Sequence, residues 1–136
     1  MVPNLTAIEN IRLALTLQGV YGDDRTRLAG AAIERVGMSH RKDHKPAQLS
    51  GGEQQRITVA RAIVNQPRVL LADEPTGNLD RATAKSLLQL LTQIRDEDGT
   101  TVLMVTHDES LAEEFCDRVV RMQDGKFISS SESLAT

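Results

Sequence analysis

The chain has 136 residues, enough for one domain or for one domain with an attached subdomain. Hydrophobic residues make up 40% of it, which excludes wholesale disorder, and aromatic residues make up only 2%, which argues against stacking on nucleic-acid bases. The net charge of −3 gives no bulk attraction to nucleic acid or anionic lipid, and the single cysteine excludes a disulfide framework.

Two helices are predicted at the start of the chain. Thr6 and Glu9 have the spacing of a capping box, so the first helix should begin there and end at Gly19. Asp24 is the predicted cap of a second helix, which Gly37 should end. Each helix has an apolar stripe on one face, formed by Ile8, Ile11 and Leu15 in the first and by Leu28, Ala32, Ile33 and Val36 in the second.

A loop and a third helix should follow. Residues 38–48 are polar and are predicted to form the loop. Ser50 and Glu53 repeat the capping-box spacing, which predicts a helix that runs to about Gln66. Pro67 prevents the helix from continuing. The buried side of this third helix should carry Ile57, Ala60, Ile63 and Val64.

The second half of the chain is predicted to alternate strands and helices. Short apolar runs at 69–72 and 101–105 are typical of parallel strands that are buried on both faces. Asp80 should cap a helix over 81–97 between them. The remaining predictions are a short helix over 109–115 and a β-hairpin, in which strands at 119–122 and 127–128 flank an Asp124-Gly125 turn.

Three positions in this pattern suggest chemistry. Residues 49–56 read LSGGEQQR, so a serine and two glycines lie at a helix start, where backbone N–H groups and the helix dipole favour an anion. Asp73 and Glu74 end the first strand at the sheet edge where open α/β folds bind ligands, and His107 follows the second strand. Taken singly, these features also fit an ordinary capped helix, an acidic strand exit and a structural histidine.

Taken together, the motifs resemble those of ABC-type ATPases. LSGGEQQR resembles the family's signature motif, residues 69–74 its Walker B motif, and residues 75–80, PTGNLD, its D-loop. His107 falls where the family has its switch histidine. The sequence of residues 72–80 most resembles that of the lipoprotein-release and macrolide-export branch of this family.

This resemblance covers the whole chain and implies its fold class and domains. The expected fold is α/β: the C-terminal portion of a P-loop (RecA-like) ABC ATPase core with an α-helical subdomain. Residues 1–66 would form the helical subdomain, ending in the signature motif and its helix. Residues 67–136 would form the C-terminal half of the core, with Walker B, D-loop, switch histidine and terminal hairpin.

The resemblance also implies roles across a dimer. Ser50, Gly51 and Gly52 would contact the γ-phosphate of a nucleotide held by a second ATPase subunit, in trans. Asp80, in the D-loop, would communicate between the two active sites and also cap a helix. Residues 53–56 would fix the signature helix and its interface rather than touch phosphate.

Hydrolysis itself is assigned by the resemblance to three residues. Asp73 would hold Mg²⁺ through water, because Mg²⁺ gives up its waters reluctantly. Glu74 would act as the general base on the attacking water. His107 would contact the γ-phosphate and help to orient that water. The implied cofactors are therefore ATP and Mg²⁺.

One expected motif is not found in these 136 residues. A phosphate-binding loop reads G-x-x-x-x-G-K followed by Ser or Thr, whereas the one Gly-Lys pair here, Gly125-Lys126, is followed by Phe127. The chain alone is therefore expected not to hydrolyse ATP, although the intact parent would be a transport-coupled ATP hydrolase. Two other functions stay open: a non-catalytic regulatory or interaction module, and an ABC-type ATPase that serves no transporter.

Partners and location follow from the same resemblance. The expected partners are a membrane permease and the second ATPase subunit, with no nucleic acid. No apolar run approaches the roughly 20 residues of a membrane span, and the N-terminus lacks the features of a signal peptide. The expected location is therefore the cytoplasm, peripheral at the inner face of the cell membrane.

Overall fold

The computed structural model of the protein describes residues 1–132. Residues 133–136, the end of the segment predicted to form the C-terminal half of the core, lie outside the described residues. Within this range the chain forms five α-helices and four strands, with two short 3-10 turns. In order they are α1 (Ala7–Leu17), α2 (Gly22–Arg35), the turns Ser39–Arg41 and Pro46–Gln48, α3 (Gly51–Ile63), β1 (Val69–Asp73), α4 (Arg81–Asp98), β2 (Thr101–Val105), α5 (Glu109–Phe115), β3 (Arg118–Gln123) and β4 (Lys126–Glu132). Across residues 1–132, no helix has both the length and the apolar character required to cross a bilayer.

The first three helices pack on one another around the predicted apolar stripes. The capping box of α1 is formed, because Glu9 N donates to Thr6 Oγ1 at 3.3 Å and Thr6 N donates to Glu9 Oε2 at 2.8 Å. The fully buried side chains at the centre of this packing come from all three helices or their ends: Ile11, Leu15, Val36 and Ile57. Their burial gives the helical part of the chain its hydrophobic core.

The start of α2 differs from the prediction. The helix begins at Gly22, with Tyr21 at the N-cap and no side-chain capping bond, rather than at Asp24. Asp24 lies inside the first turn and forms an ion pair with Arg27 at 3.0 Å. An acidic residue is favourable in the first turn as well as at the cap, because both lie at the positive end of the helix dipole. The sequence predicted this helix correctly but placed its N-cap three residues too late.

The polar segment 38–48 is more ordered than a simple loop. It contains both 3-10 turns, and its carbonyls satisfy the start of α1: Ala7 N donates to His44 O at 2.8 Å and Ile8 N donates to Lys42 O at 2.9 Å. The segment thus closes the helical part of the chain by binding backbone donors that a helix N-terminus leaves free.

Strands β1 and β2 pair in parallel, with α4 as the connection between them. The face that carries Leu70 and Met104 packs on the helices. The opposite face carries four apolar side chains that are 54–72% exposed: Val69, Leu71, Leu103 and Val105. Both faces of the strands are apolar, as the sequence predicts, and only one of them is covered by the described residues.

The chain ends in the predicted β-hairpin. Strands β3 and β4 pair antiparallel, with an irregularity in the register between Arg121 and Met122. Asp124 and Gly125 both have positive φ, 50° and 73°, as a two-residue turn of the favoured hairpin type requires. The Asp-Gly signal in the sequence located this turn correctly.

Candidate functional site

The LSGGEQQR motif forms the start of α3. Ser50 is the N-cap: its Oγ accepts from Glu53 N at 3.3 Å, and its own N–H donates to Glu53 Oε2 at 2.8 Å. This bond from the Ser50 backbone is the main cause that lowers the pKa of Glu53. The predicted capping box is present, and it holds Ser50 at the exposed end of the helix.

The two glycines after Ser50 supply the first N–H groups of the helix. Gly51 and Gly52 lie in the first turn of α3, before the residues whose N–H groups bond within the helix. In the part of the chain that the structure describes, the N–H groups of Gly51 and Gly52 have no hydrogen-bond acceptor. Uncommitted N–H groups at a helix N-terminus lie at its positive end and suit an anion. The arrangement can therefore bind a phosphate oxygen.

The rest of the motif holds this helix in place. Glu53 also accepts from Arg41 Nε at 3.1 Å, and Gln54 donates to the carbonyls of the preceding segment, Pro46 O at 3.0 Å and Leu49 O at 3.2 Å. Arg56 donates to Val36 O at 2.9 Å and Ser86 Oγ at 2.8 Å, which ties α3 to the end of α2 and to α4.

The two carboxylates lie at the carboxyl end of β1. Asp73 is the last residue of the strand, pairs with Val105 in register and is exposed. Glu74 has a φ of 44°, a left-handed conformation that is unusual for a residue with a side chain, and its N–H donates to Val105 O at 2.9 Å. The backbone bond to β2 holds this strained residue, and strain of this kind often marks a functional position.

Glu74 and His107 contact each other across the two strand ends. His107 Nδ1 lies 2.9 Å from Glu74 Oε1, and this hydrogen bond is the main cause that raises the pKa of the exposed imidazole. The second carboxylate oxygen, Glu74 Oε2, is buried and has no hydrogen-bond partner among the described residues. A buried carboxylate oxygen without a partner is rare and costly in folded proteins, and such groups are found at functional positions.

A polar cavity of about 190 Å³ contains this pair. Its lining comes from the β1 exit, the start of α4 and the β2 exit: Glu74, Thr76, Gly77, Leu79, Arg81, Ala84, Thr106, His107, Asp108 and Leu111. Arg81 and Thr106 were missed by the sequence analysis. The sequence signal that could have identified them is that they adjoin Asp80 and His107, two of the predicted site residues.

Asp80 caps α4 as predicted. Its Oδ1 accepts from Ala82 N at 3.0 Å and Thr83 N at 3.1 Å, and its Oδ2 accepts from Thr83 Oγ1 at 2.5 Å. The hydroxyl bond from Thr83 is the main cause that lowers the pKa of Asp80. The carboxylate is therefore held ionised at the helix start.

The predicted site residues thus fall into two groups. Glu74 and His107 share the cavity, whereas Ser50, Gly51 and Gly52 form a separate surface at the start of α3. The two groups meet through the D-loop segment, because a Cβ at Gly51 would lie 3.6 Å from Leu79 Cδ2 and Leu79 lines the cavity.

The donor set at the strand ends fits Mg²⁺ that is bound mostly by water and phosphate. No group of three or more His, Cys, Asp or Glu residues among residues 1–132 could hold a metal ion by protein ligands alone. Mg²⁺ commonly uses only one or two carboxylates and takes its other ligands from water and nucleotide phosphates. Asp73 is exposed at the strand end and supplies such a carboxylate.

Comparison with known families and proteins gives one consistent result. A family profile described as "ABC transporter" matches residues 1–77. The lipoprotein-releasing system ATP-binding protein LolD of Hydrogenovibrio crunogenus is 43% identical over 134 residues, covering 98% of this chain and 58% of that protein. The uncharacterized ABC transporter ATP-binding protein YbbA of Escherichia coli K12 is 48% identical over 126 residues, covering 93% and 55%.

Solved structures agree with this result. A dimeric post-hydrolysis state of the ATP-binding cassette MJ0796, bound to ADP and Pi, matches with a TM-score of 0.83 and 38% identity, covering 97% of this chain and 58% of that one. The chain therefore spans a little over half the length of the relatives that it matches.

Proposed function

This chain belongs to the ABC transporter family of ATP-binding proteins, and we propose that it supplies two parts of a composite ATPase site in a dimer. The first part is the Asp73, Glu74 and His107 group, which serves the nucleotide of its own subunit. The second part is Ser50, Gly51 and Gly52, which serves the nucleotide of the partner. The observation that carries the proposal is the Glu74–His107 pair, 2.9 Å apart at the exits of adjacent parallel strands.

Each residue has a role that its surroundings support. Glu74 accepts a proton from the attacking water, and its Oε1 is held by His107. His107 donates to Glu74 or to a phosphate oxygen, and its raised pKa favours the protonated form. Asp73 would hold the metal ion through its waters. Bound Mg²⁺ would neutralise charge on the transferring phosphoryl group.

The signature surface acts from the opposite side. The uncommitted N–H groups of Gly51 and Gly52 and the Ser50 hydroxyl would bind the γ-phosphate of the partner's ATP. ATP binding would therefore hold two subunits together, and hydrolysis would release them. We further propose that the intact subunit works with a membrane permease at the cytoplasmic face of the cell membrane, since its relatives are ATP-binding proteins of a lipoprotein-releasing system and of an ABC transporter.

The test uses a full-length chimera, in which residues 1–136 replace the matching segment of the Hydrogenovibrio crunogenus relative. Glu74→Gln should lower the ATPase turnover by at least about 100-fold, because a general base contributes that much or more. Ser50→Arg should also abolish turnover, since it places a bulky cation where the partner's γ-phosphate docks. Folding of each variant is checked by circular dichroism.

Mixing the two inactive chimeras tests the division of roles between subunits. In a mixed dimer, one site takes Glu74 from the Ser50→Arg subunit and its signature from the Glu74→Gln subunit, so part of the activity should return. A subunit that carries both substitutions restores none with either partner. Full activity of Glu74→Gln would refute the catalytic role of Glu74, and an inactive unsubstituted chimera would favour the second candidate, a non-catalytic module. Absence of recovery in dimers shown to be mixed would refute the assignment in trans.

A further inference from the structure

We propose that Thr83 is a positioning residue that fixes the signature glycines against the D-loop aspartate of the same chain. Its side chain contacts Asp80 through the hydroxyl and Gly52 through the methyl group. The proposal rests on the function proposed above, because it concerns how the two parts of the composite site are kept in register.

The hydroxyl side of the contact is a charge-assisted hydrogen bond. Thr83 Oγ1 donates to Asp80 Oδ2 at 2.5 Å, while the Thr83 backbone N–H donates to Asp80 Oδ1 at 3.1 Å. Both carboxylate oxygens are therefore bound by one residue. This fixes the rotamer of Thr83 as well as that of Asp80, since the hydroxyl has a single well-placed acceptor.

The methyl side of the contact closes the gap between α3 and α4. A Cβ added at Gly52 would overlap Thr83 Cγ2, and the next nearest atom, Thr83 Cβ, would lie 3.9 Å away. The close approach therefore depends on the absence of a side chain at Gly52 and on the Thr83 methyl group. A side chain at 52 therefore requires a shift of Thr83 or of one helix.

The consequence is a rigid link between two ligand-facing segments. Gly52 supplies an uncommitted N–H group toward the partner's nucleotide, and Asp80 begins α4 beside the cavity that holds Glu74 and His107. A side chain bonded to one segment and packed on the other transmits a displacement of either segment directly. Thr83 thereby couples the surface that acts in trans to the cavity that acts in cis.

The packing contact is tested by thermal unfolding of the 136-residue chain, with no nucleotide present. Gly52→Ala should lower the melting temperature by about 3–8 °C, because overpacking is destabilising. In a Thr83→Ser background, which lacks Cγ2, the same substitution should cost less than half as much. Gly30→Ala is the matched control: this helical glycine has no atom within 4 Å of an added Cβ, so its effect should be equal in both backgrounds. An equal effect of Gly52→Ala in both backgrounds would overturn the packing contact.

The positioning role is tested by the turnover of the full-length chimera. Thr83→Val keeps the methyl group and loses the hydroxyl, and it should lower kcat about tenfold, the factor for losing one hydrogen bond to a charged group. The KM for ATP should stay unchanged, because the variant alters alignment rather than nucleotide capture. Thr83→Ser, which keeps the hydroxyl, should retain more activity than Thr83→Val.

A control variant, and a comparison of Thr83→Val with Glu74→Gln, distinguish failure of this proposal from failure of the proposed function. Thr92→Val removes an equivalent hydroxyl from α4, bonded to Leu88 O at 3.0 Å, and should leave kcat unchanged. If Glu74→Gln abolishes turnover while Thr83→Val keeps the wild-type kcat, the positioning role is wrong and the proposed function stands. If Glu74→Gln keeps turnover, the proposed function itself fails.

Discussion

The contact between Glu74 and His107 favours the charged form of the imidazole at the strand exits. The imidazole is exposed, so desolvation opposes its protonation less than the carboxylate 2.9 Å away favours it. The pKa of His107 therefore lies above its ordinary value of 6.5. Its contribution to stability is complete below that ordinary value and is lost as the pH rises through the raised pKa.

We expect Glu74→Gln to lower the pKa of His107, because it removes the negative charge and keeps the shape of the side chain. The measurement is an NMR titration of the His107 ring protons in the wild-type chain and the variant. The two titration curves should separate, with the variant losing its proton at lower pH. Coincident curves would mean that the ion pair does not form in solution.

At the level of single residues, the sequence selected candidate site residues but did not give their contacts. It selected Glu74 and His107 because each follows an apolar strand, but their distance depends on the parallel register of β1 and β2, which pairs Asp73 with Val105. The left-handed conformation of Glu74 has no local signal such as a glycine. The Glu74–His107 contact and the left-handed conformation of Glu74 both depend on tertiary packing. The spacing of motifs along the sequence therefore could not predict them.

Among the helices, α1 is fixed at its start by an unusual buried residue. Asn10 is 0% exposed and makes four hydrogen bonds to the segment that precedes and begins the helix. Its Oδ1 accepts from Val2 N at 2.8 Å, and its Nδ2 donates to Val2 O, Leu5 O and Thr6 O at 3.0–3.2 Å. The side chain thus supplies partners to Val2 N and Leu5 O, which make no backbone hydrogen bond among the described residues, and it adds a second donor to Val2 O and Thr6 O.

Asn10→Leu should therefore destabilise the chain by about 2–3 kcal/mol, because it leaves the Val2 N–H group and the Leu5 carbonyl without their partners. Urea unfolding followed by circular dichroism measures this free energy. Gln18→Leu, at the exposed end of the same helix, should change it by less than about 0.5 kcal/mol. Equal effects of the two substitutions would show that residues 2–6 are not held by Asn10.

At the level of elements, local capping signals were the most reliable part of the sequence. Thr6, Ser50 and Asp80 each cap the helix that the sequence assigned to them. Tyr21 has no capping side chain, and the start of α2 was the one that the sequence placed wrongly. Where a helix start is set by packing rather than by a capping side chain, local spacing carries too little information.

In the molecule as a whole, the open face of β1 and β2 is the main apolar surface of the sheet. Four side chains on it are more than half exposed, including Leu71 at 72% and Leu103 at 60%. Parallel strands normally have both faces covered. We infer that a second copy of this chain covers the face when the chain is prepared alone.

Self-association should accordingly depend on concentration and on this face. Sedimentation velocity at several concentrations should show larger species as the concentration rises, and a Leu71→Lys, Leu103→Lys double variant should shift the distribution toward monomer. Leu17→Lys is the control, since Leu17 is 80% exposed on α1, away from the sheet. A wild-type monomer at every concentration would contradict the expectation.

We also expect the 136-residue chain to bind MgATP much more weakly than the full-length chimera. The phosphate-binding loop that carries a lysine and several backbone N–H groups is not among these residues. Isothermal titration calorimetry of both proteins measures the difference. Micromolar affinity of the chain alone would reveal a phosphate site other than the one described.

For the whole molecule, the sequence predicted the order of elements, the hairpin and the apolar character of both faces of the sheet, but not which face is covered. Alternating strand and helix signals are local, so β1, α4, β2 and α5 could be assigned from residues 69–115. The exposure of Val69 and Val105 depends on what lies next to the sheet in space. A run of apolar residues shows that a strand is suited to burial on both faces. It does not show whether neighbouring elements cover those faces.

The capping box at Ser50 also affects the thermodynamics of phosphate binding. Because Ser50 and Glu53 already hold each other, the N–H groups of Gly51 and Gly52 point outward from a turn that is ordered before an anion arrives. The conformational entropy of that turn is lost during folding and is not lost again on binding. In amide hydrogen exchange, Gly51 and Gly52 should therefore exchange rapidly beside a protected Gln54, whose N–H donates to Ser50 O at 2.9 Å. This end of α3 acts as a preorganised receptor.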